Sequence, residues 1–451
     1  MEETLSEGNF FGTERVGKIL LKIAPPVMLA QLIQALYNIV DSFFVGRYSK
    51  DALTALTVVY PLQLIIIALA VGTGVGVNTY MARKFAQNKP QDAKRAAGTG
   101  MVLSLVSWAI FAPLSALLMR PYVMTSASSP MAVEYAVSYG RIVCIGSLGA
   151  FLEGIWSKVH QSTGNMRLPM LAQIAGALVN VLLDPLLIFG MGPFPEMGAA
   201  GAAWATVFGQ VVAAGITGVK GFYRPPSIRK MGHYIRRIYF YGYSSILMQM
   251  LFTVYIAALN IILAGFSDAA VTVLGLYYKV QSFFFIPLFG LQTCVVPVLS
   301  YNYACGNYTR CKNTMNSSFL ISVVFMLAGM VCFVFFPKQM MALFSDSGEV
   351  LTIGAVAFPI IGSSFLSAVF SLMLPICFQA IGDGTTSLLL SLTRQIFCLV
   401  PLFWLFSLIG LNYVWLAFPI SETIAGGIGL YLYRKQVQRW NRLEKLQMEK
   451  V

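Results

Sequence analysis

The sequence predicts an all-α integral membrane protein, with twelve transmembrane helices in two pseudo-symmetric six-helix lobes. Three observations predict it. Of the 451 residues, 57% are hydrophobic and 11% charged, with a mean hydropathy of +0.72, a balance foreign to water-soluble domains. Apolar runs long enough to cross a hydrocarbon core of about 30 Å follow one another almost without pause, and the alternating strands of an outer-membrane barrel are not seen. The second half of the chain also repeats the first at a fixed offset.

Apolar windows bounded by Gly, Pro and charge place spans at 18–46, 52–82, 96–119, 131–162, 167–190 and 198–222, and again at 238–265, 270–303, 314–336, 348–381, 386–409 and 412–434. The opening MEETLSEGNFFGTERVGKILLK is mixed in charge, and no small-residue cleavage site follows it, so no cleaved signal peptide is expected. With the N-terminus cytoplasmic, the inner loops collect thirteen Lys and Arg between Arg83 and Lys312, against Arg47, Lys50, Arg120 and Lys338 outside. That asymmetry orients the chain with both termini on the cytoplasmic side. The net charge of +13 therefore reports topology, and no nucleic-acid partner is expected.

Sliding the chain against itself by 218 residues pairs Gln31 with Gln249, Tyr37 with Tyr255, Tyr60 with Tyr278, Gln63 with Gln281 and Gly72 with Gly290. The same offset aligns Gln161 and Gly164 of HQSTGN with Gln379 and Gly382 of FQAIGD. Apolar sequence matches Leu to Val readily but seldom matches Gln and Tyr at one offset, so a unit of six helices is duplicated. Six is even, hence both copies share one orientation, the plan of transporters that bind substrate between rocking halves. The expected organisation is an N-terminal lobe over 1–222, a basic cytoplasmic linker over 223–237 broken by Pro225 and Pro226, a C-terminal lobe over 238–434 and a basic tail over 435–451. The tail's spaced apolar residues suit a helix lying on the anionic inner leaflet, and a merely solvated tail fits them as well.

A charge at mid-bilayer costs on the order of 3 kcal/mol, so intramembrane ionisable groups are functional candidates. They are Asp41, Arg141, Glu153, Asp184, Lys279, Arg394 and Glu422. A rise of about 1.5 Å per residue puts Asp41 roughly 35 Å and Asp184 roughly 25 Å from the inner starts of their spans, and Thr206 roughly 12 Å below the outer start of its own. All three fall in the outer half of the N-terminal lobe. Gln34, Tyr37 and Asp41 share one face of the first span, and Asn180 and Asp184 share one face of the fifth. Pro185 removes the amide that would satisfy the carbonyl of Val181. Two carboxylates, a free carbonyl, an amide and a hydroxyl in low dielectric favour a cation. Burial and repulsion disfavour two ionised carboxyls there, which brings H+ within reach, and the oxygens of Asp41, Asn180, Asp184 and Thr206 also suit Na+. Arg141 bears on this, because pairing with either aspartate would hold that group ionised. Lys279 and Glu422, at similar depth, are expected to form a buried ion pair, while Glu153 and Arg394 lie nearer the inner surface, where snorkelling accounts for them.

Other signals carry less. GTGVGV at 72–77 lacks the Lys and Ser or Thr of a phosphate loop, and Gly72 and Gly76 read better as a packing face. Seven cysteines without CxxC spacing indicate neither disulfides nor zinc. Two histidines, His160 and His233, and no HExxH motif exclude the usual membrane enzymes. The reading is a secondary transporter, not an enzyme. No cofactor is expected besides the coupling ion.

The chain resembles the MATE (multidrug and toxic compound extrusion) family over essentially its full length. The resemblance rests on Pro26 to Gly46 with Asp41, QSTGNMRLP at 161–169, GAAWAT at 201–206, NYACGNYTR at 302–310, QAIGDG at 379–384 and VWLAFPISE at 414–422. It implies an antiporter that exports organic cations or drugs against inward H+ or Na+ by alternating access. It also implies a coupling network of Tyr37, Asp41, Tyr139, Asn180, Asp184 and Thr206, and a first helix that bends near Pro26. Gln34, Pro26, Arg141, Lys279 and Glu422 are further candidates for substrate contact or gating. The NorM-like branch places acids in its seventh, eighth and tenth helices, where this chain has only Glu349 and Asp383 at loop edges, so it is more similar to the DinF-like or MepA-like bacterial branches. Expected partners are small cationic or amphipathic molecules and the bilayer, with the protein a monomer. The alternative is a flippase for lipid-linked oligosaccharides, a related fold with a cationic cavity, which Lys279, Arg141 and Arg394 would serve.

Overall fold

The computed structural model describes residues 10–124, 129–342 and 348–449. Among them, ten helices are long and apolar enough to cross a membrane, and two bent pairs bring the number to twelve when each pair is one span. In the first half, α1 (Val16–Tyr48), α2 (Lys50–Ala86) and α3 (Pro90–Met124) precede the pair α4 (Pro130–Gly146) and α5 (Leu148–Ser162), then α6 (Arg167–Ile188) and α7 (Ala199–Gly221). In the second, α8 (Ile228–Ala264), α9 (Asp268–Ala304) and α10 (Tyr308–Phe335) lead to a short α11 (Pro337–Ala342). The pair α12 (Gly348–Gly362) and α13 (Phe365–Ile381) comes next, followed by α14 (Gly384–Leu392), a π-helical stretch Thr393–Leu399 and α15 (Val400–Ser407). A turn α16 (Leu411–Val414) and the long α17 (Ala417–Met448) close the chain.

The duplication is written in the backbone. Left-handed residues recur at the same offset of 218 in the pairs Asn88 and Gly306, Gly164 and Gly382, and Gly192 and Gly410. Ser49 and Ser267 both cap the second span of their half. Asn165 and Asp383 accept from the amides of Leu168 and Thr386, capping the fifth spans in the same way. The fourth and tenth spans, expected to be single helices, bend by 43° and 56° at equivalent places. Serines there turn back on the helix: Ser147 Oγ donates to Cys144 O at 2.7 Å, and Ser363 and Ser364 donate to Ile360 O and Ile361 O at 2.6 Å. Such back-bonding competes with the helical ladder and bends it.

The chain divides into two compact units, one spanning Pro25–Ile246 and the other combining Phe10–Ala24 with Leu247–Val451. Inside the first, Gly72 and Gly76 press against α8, where an added Cβ would collide with the backbone of Ile246 and Ile238, so the packing role expected of these glycines holds. Inside the second, Arg310 secures the residues before α1: Nη2 donates to Phe11 O at 2.8 Å and Glu14 O at 2.6 Å, and Nε to Asn302 Oδ1 at 2.9 Å. Helix α1 thus passes from one unit to the other at Pro25. Pro25 and Pro26 leave the carbonyls of Leu21 and Lys22 without helical amides at that point.

Two expectations change here. Only residues 222–227 of the basic connection are non-helical, and α8 starts at Ile228, because once Pro225 and Pro226 are passed nothing opposes helix. Tyr234 Oη donates to Asp92 Oδ1 at 2.9 Å and Arg83 lies over the Tyr241 ring at 4.7 Å, so this stretch packs within its unit. The tail, expected as a separate helix on the leaflet, continues α17 to Met448. Trp440 is fully buried and stacks on Tyr308 at 6.2 Å, and that packing holds the tail against α10.

Candidate ion-coupling site

Helices α6 and α7 touch backbone to backbone. A Cβ on Gly176 would sit 2.7 Å from Gly209 O, and one on Gly209 would sit 2.6 Å from Gly176 O. This approach brings Asn180 across from Thr206, and Asn180 Nδ2 donates to Thr206 Oγ1 at 3.4 Å. One turn further along α6, Asp184 is wholly buried, and Asn180 is 2% exposed. From α1, Asp41 is buried as well and lies within electrostatic reach of Asp184, Tyr37 and Tyr139. Tyr139, on α4, accepts from Gln63 Nε2 at 3.2 Å.

The decisive feature is what these groups lack. Asp41 Oδ1, Asn180 Oδ1 and both carboxylate oxygens of Asp184 are buried with no hydrogen-bond partner. Polar groups that only glue helices are paired, since an unmet buried acceptor costs about 1–3 kcal/mol. Four unmet oxygens from three side chains make an acceptor-rich set, suited to a proton or a small cation.

Tyr37, Asp41, Tyr139, Asn180, Asp184 and Thr206 all lie in one unit. Gln34 is exposed on α1 while Tyr37 is half-buried, so burial deepens along the polar face toward Asp41. Arg141 is exposed, and its Nε donates to Ala116 O at 3.3 Å; among the described residues it forms no ion pair with either aspartate. Gln63, the donor to Tyr139, is absent from the sequence-derived network, although its repeat match with Gln281 had marked it.

The second unit holds a different arrangement. Glu422 pairs with Arg394, not with Lys279: Arg394 Nη1 to Glu422 Oε1 is 2.8 Å, and both side chains are largely buried. Ser371 Oγ also donates to Glu422. Lys279 is exposed, whereas Glu422 is buried beside Arg394. Arg394 therefore does not snorkel; the π-helix, lying just before Pro401 with its missing amide, carries it to Glu422. Glu153 does not reach for the surface either, accepting from Ser157 Oγ at 2.6 Å.

The MatE family profile matches residues 26–186 and 244–405, most of both halves. The chain belongs to the MatE family. A relative named FAD transporter from Shewanella oneidensis is 24% identical, over 93% of this chain and 95% of its own length. The multidrug export protein MepA of Staphylococcus saprophyticus is 22% identical, over 95% and 96%. A solved multidrug resistance MATE family transporter of the MOP superfamily, in an outward-facing conformation, superposes with a TM-score of 0.89 at 23% identity, covering 96% of this chain and 99% of that one. The MatE protein described here is accordingly a multi-pass membrane transporter and not an enzyme.

Proposed function

We propose that this MatE protein is an antiporter in which inward H+ or Na+ drives export of organic cations or drugs across the bacterial cytoplasmic membrane, with both termini cytoplasmic. The observation that carries the proposal is the set of unmet buried oxygens on Asp41, Asn180 and Asp184. Two protons, one per carboxyl, neutralise the pair, or a Na+ offsets one of its two charges with Thr206 Oγ1 and the amide oxygen of Asn180 completing the shell. With the charge on Asp41 cancelled, α1 is free to bend at Pro25 and Pro26, where backbone hydrogen bonds are already missing. That change in α1 then lets the substrate leave to the outside. For each net positive charge carried inward per cycle the membrane potential contributes about 2.3 kcal/mol per 100 mV, and a one-for-one exchange of monovalent cations draws on the ion's concentration gradient alone.

The flippase alternative needs free positive charge in the cavity. Arg394 is neutralised by Glu422, which removes part of its support. The name of the Shewanella relative makes flavin dinucleotide the first anionic substrate to run beside the cations. The test is efflux of a fluorescent cation from vesicles under imposed pH and Na+ gradients. Asp41→Asn is expected to abolish gradient-driven efflux; unchanged efflux in that variant would overturn the assignment.

A further inference from the structure

Between α10 and α17 in the second unit lies a cavity of about 350 Å³ lined by Lys312, Asn316, Tyr433, Arg434, Val437 and Gln438. We infer that this cavity binds the anionic headgroup of a membrane phospholipid, at the bilayer surface on the side of the C-terminus. This site is distinct from the coupling network and independent of it.

Position comes first. Between Glu422 and Arg434, α17 carries no charge, and after Lys312, α10 carries none to its end. The cavity thus sits where both helices change from apolar to charged, which is headgroup depth.

Chemistry comes second. The Arg434 guanidinium is exposed, and among the described residues it belongs to no ion pair. Lys312 Nζ is held by Glu444 Oε2 at 2.9 Å and Asn441 Oδ1 at 2.8 Å, but an ammonium has three donors, and one is left over. The pair offers a phosphate one forked and one point donor, and the amides of Asn316 and Gln438 suit glycerol hydroxyls. The Glu444 carboxylate behind Lys312 lowers the local positive charge, so Arg434 is the principal contact.

Shape separates a lipid from a soluble anion. Below Asn316, at helical spacing on α10, Leu320 and Val324 are 68% and 60% exposed; on α17, Ile424, Ile428 and Tyr431 lead up to Gln438 and are also exposed. A largely apolar cavity with Arg434 and Lys312 at its charged end therefore continues into two uncovered apolar stripes, which matches a phosphate head with acyl chains below it.

The test uses the full chain purified in detergent. Short-chain phosphatidylglycerol, phosphatidylcholine and inorganic phosphate are titrated while thermal unfolding is followed. Phosphatidylglycerol is expected to raise the midpoint saturably, and the other two are not. Arg434→Glu should weaken phosphatidylglycerol on the order of tenfold or more, Arg434→Lys should retain part of the effect, and Leu320→Ser should weaken the lipid as well. An equal shift with phosphatidylcholine, an equal shift with inorganic phosphate, or an unchanged response in Arg434→Glu would each overturn the assignment. A gradient-coupled efflux defect plays no part in the readout, so failure here leaves the coupling proposal untouched.

Discussion

The two halves of this protein share a backbone plan and solve the burial of charge in opposite ways. At the repeat offset, Asp41 faces Leu259, Asn180 faces Cys398, Asp184 faces Leu402 and Thr206 faces Ile424. The first half buries acid oxygens and leaves them unmet. The second buries an acid too, Glu422, but closes it with Arg394 and Ser371. The caps and left-handed turns are common to both, so the fold tolerates either filling of the space beside its fifth and sixth spans. An open acid can exchange its counterion, whereas a closed pair resists doing so. That difference, and not the presence of charge alone, is what the proposed coupling role of Asp41 and Asp184 rests on.

The largest expected effect comes from breaking the closed pair. Glu422→Ala leaves Arg394 buried without a partner and should cost about 3–5 kcal/mol, whereas replacing both, as Arg394→Met with Glu422→Leu, should cost little or stabilise. Thermal unfolding of the two variants checks this; equal losses would mean that the pair is not insulated as described. Next is Gly209→Ala, whose new methyl meets Gly176 O. Overpacking of this kind costs about 1–3 kcal/mol, and by parting α6 from α7 it should weaken ion coupling as well as stability. Normal coupling in a destabilised Gly209→Ala would separate the helix contact from the site.

The open half predicts a gain. Asp184→Asn removes a charge and supplies amide donors beside the unmet oxygens, so stability should rise by about 0.5–1.5 kcal/mol while gradient-driven efflux is lost. A drop in unfolding midpoint would show that Asp184 already has a structural partner.

The sequence makes the span count, the duplication and the N-terminal network readable, because each depends on short-range patterns: apolar length, a fixed offset, and polar residues three or four apart. Pairings across helices are less readable. Lys279 and Glu422 share a depth, but depth leaves the direction around the helix axis open, and the π-helix after Leu392 turns Arg394 onto Glu422 in a way no ideal periodicity predicts. The bends at Ser147 and Ser363 escape for a related reason, since a serine inside an apolar run looks the same whether or not it back-bonds. The tail misleads because a basic amphipathic stretch fits a leaflet and a neighbouring helix equally well until Trp440 finds Tyr308.

The smallest effect concerns that tail. Glu444 lies in the charged stretch beyond Arg434, outside the apolar part of α17. Burial by itself would raise its carboxyl, but hydrogen bonds from Thr309 at 2.7 Å and Lys312 at 2.9 Å, together with the ammonium charge, outweigh burial and hold it below the usual range. A carboxyl depressed in the folded state contributes stability that is fully present above its unfolded value and lost as pH falls through the folded one. Tail docking should therefore be firm at neutral pH and loosen on acidification through the carboxylate range. The fully buried Trp440 should retain part of the contact, so loosening is expected to be partial. Hydrogen exchange over 435–449, corrected for the intrinsic pH dependence, reads this directly. Glu444→Gln should show the loosened pattern already at neutral pH. Protection that stays flat with pH in the parent would show that Trp440 alone anchors the tail.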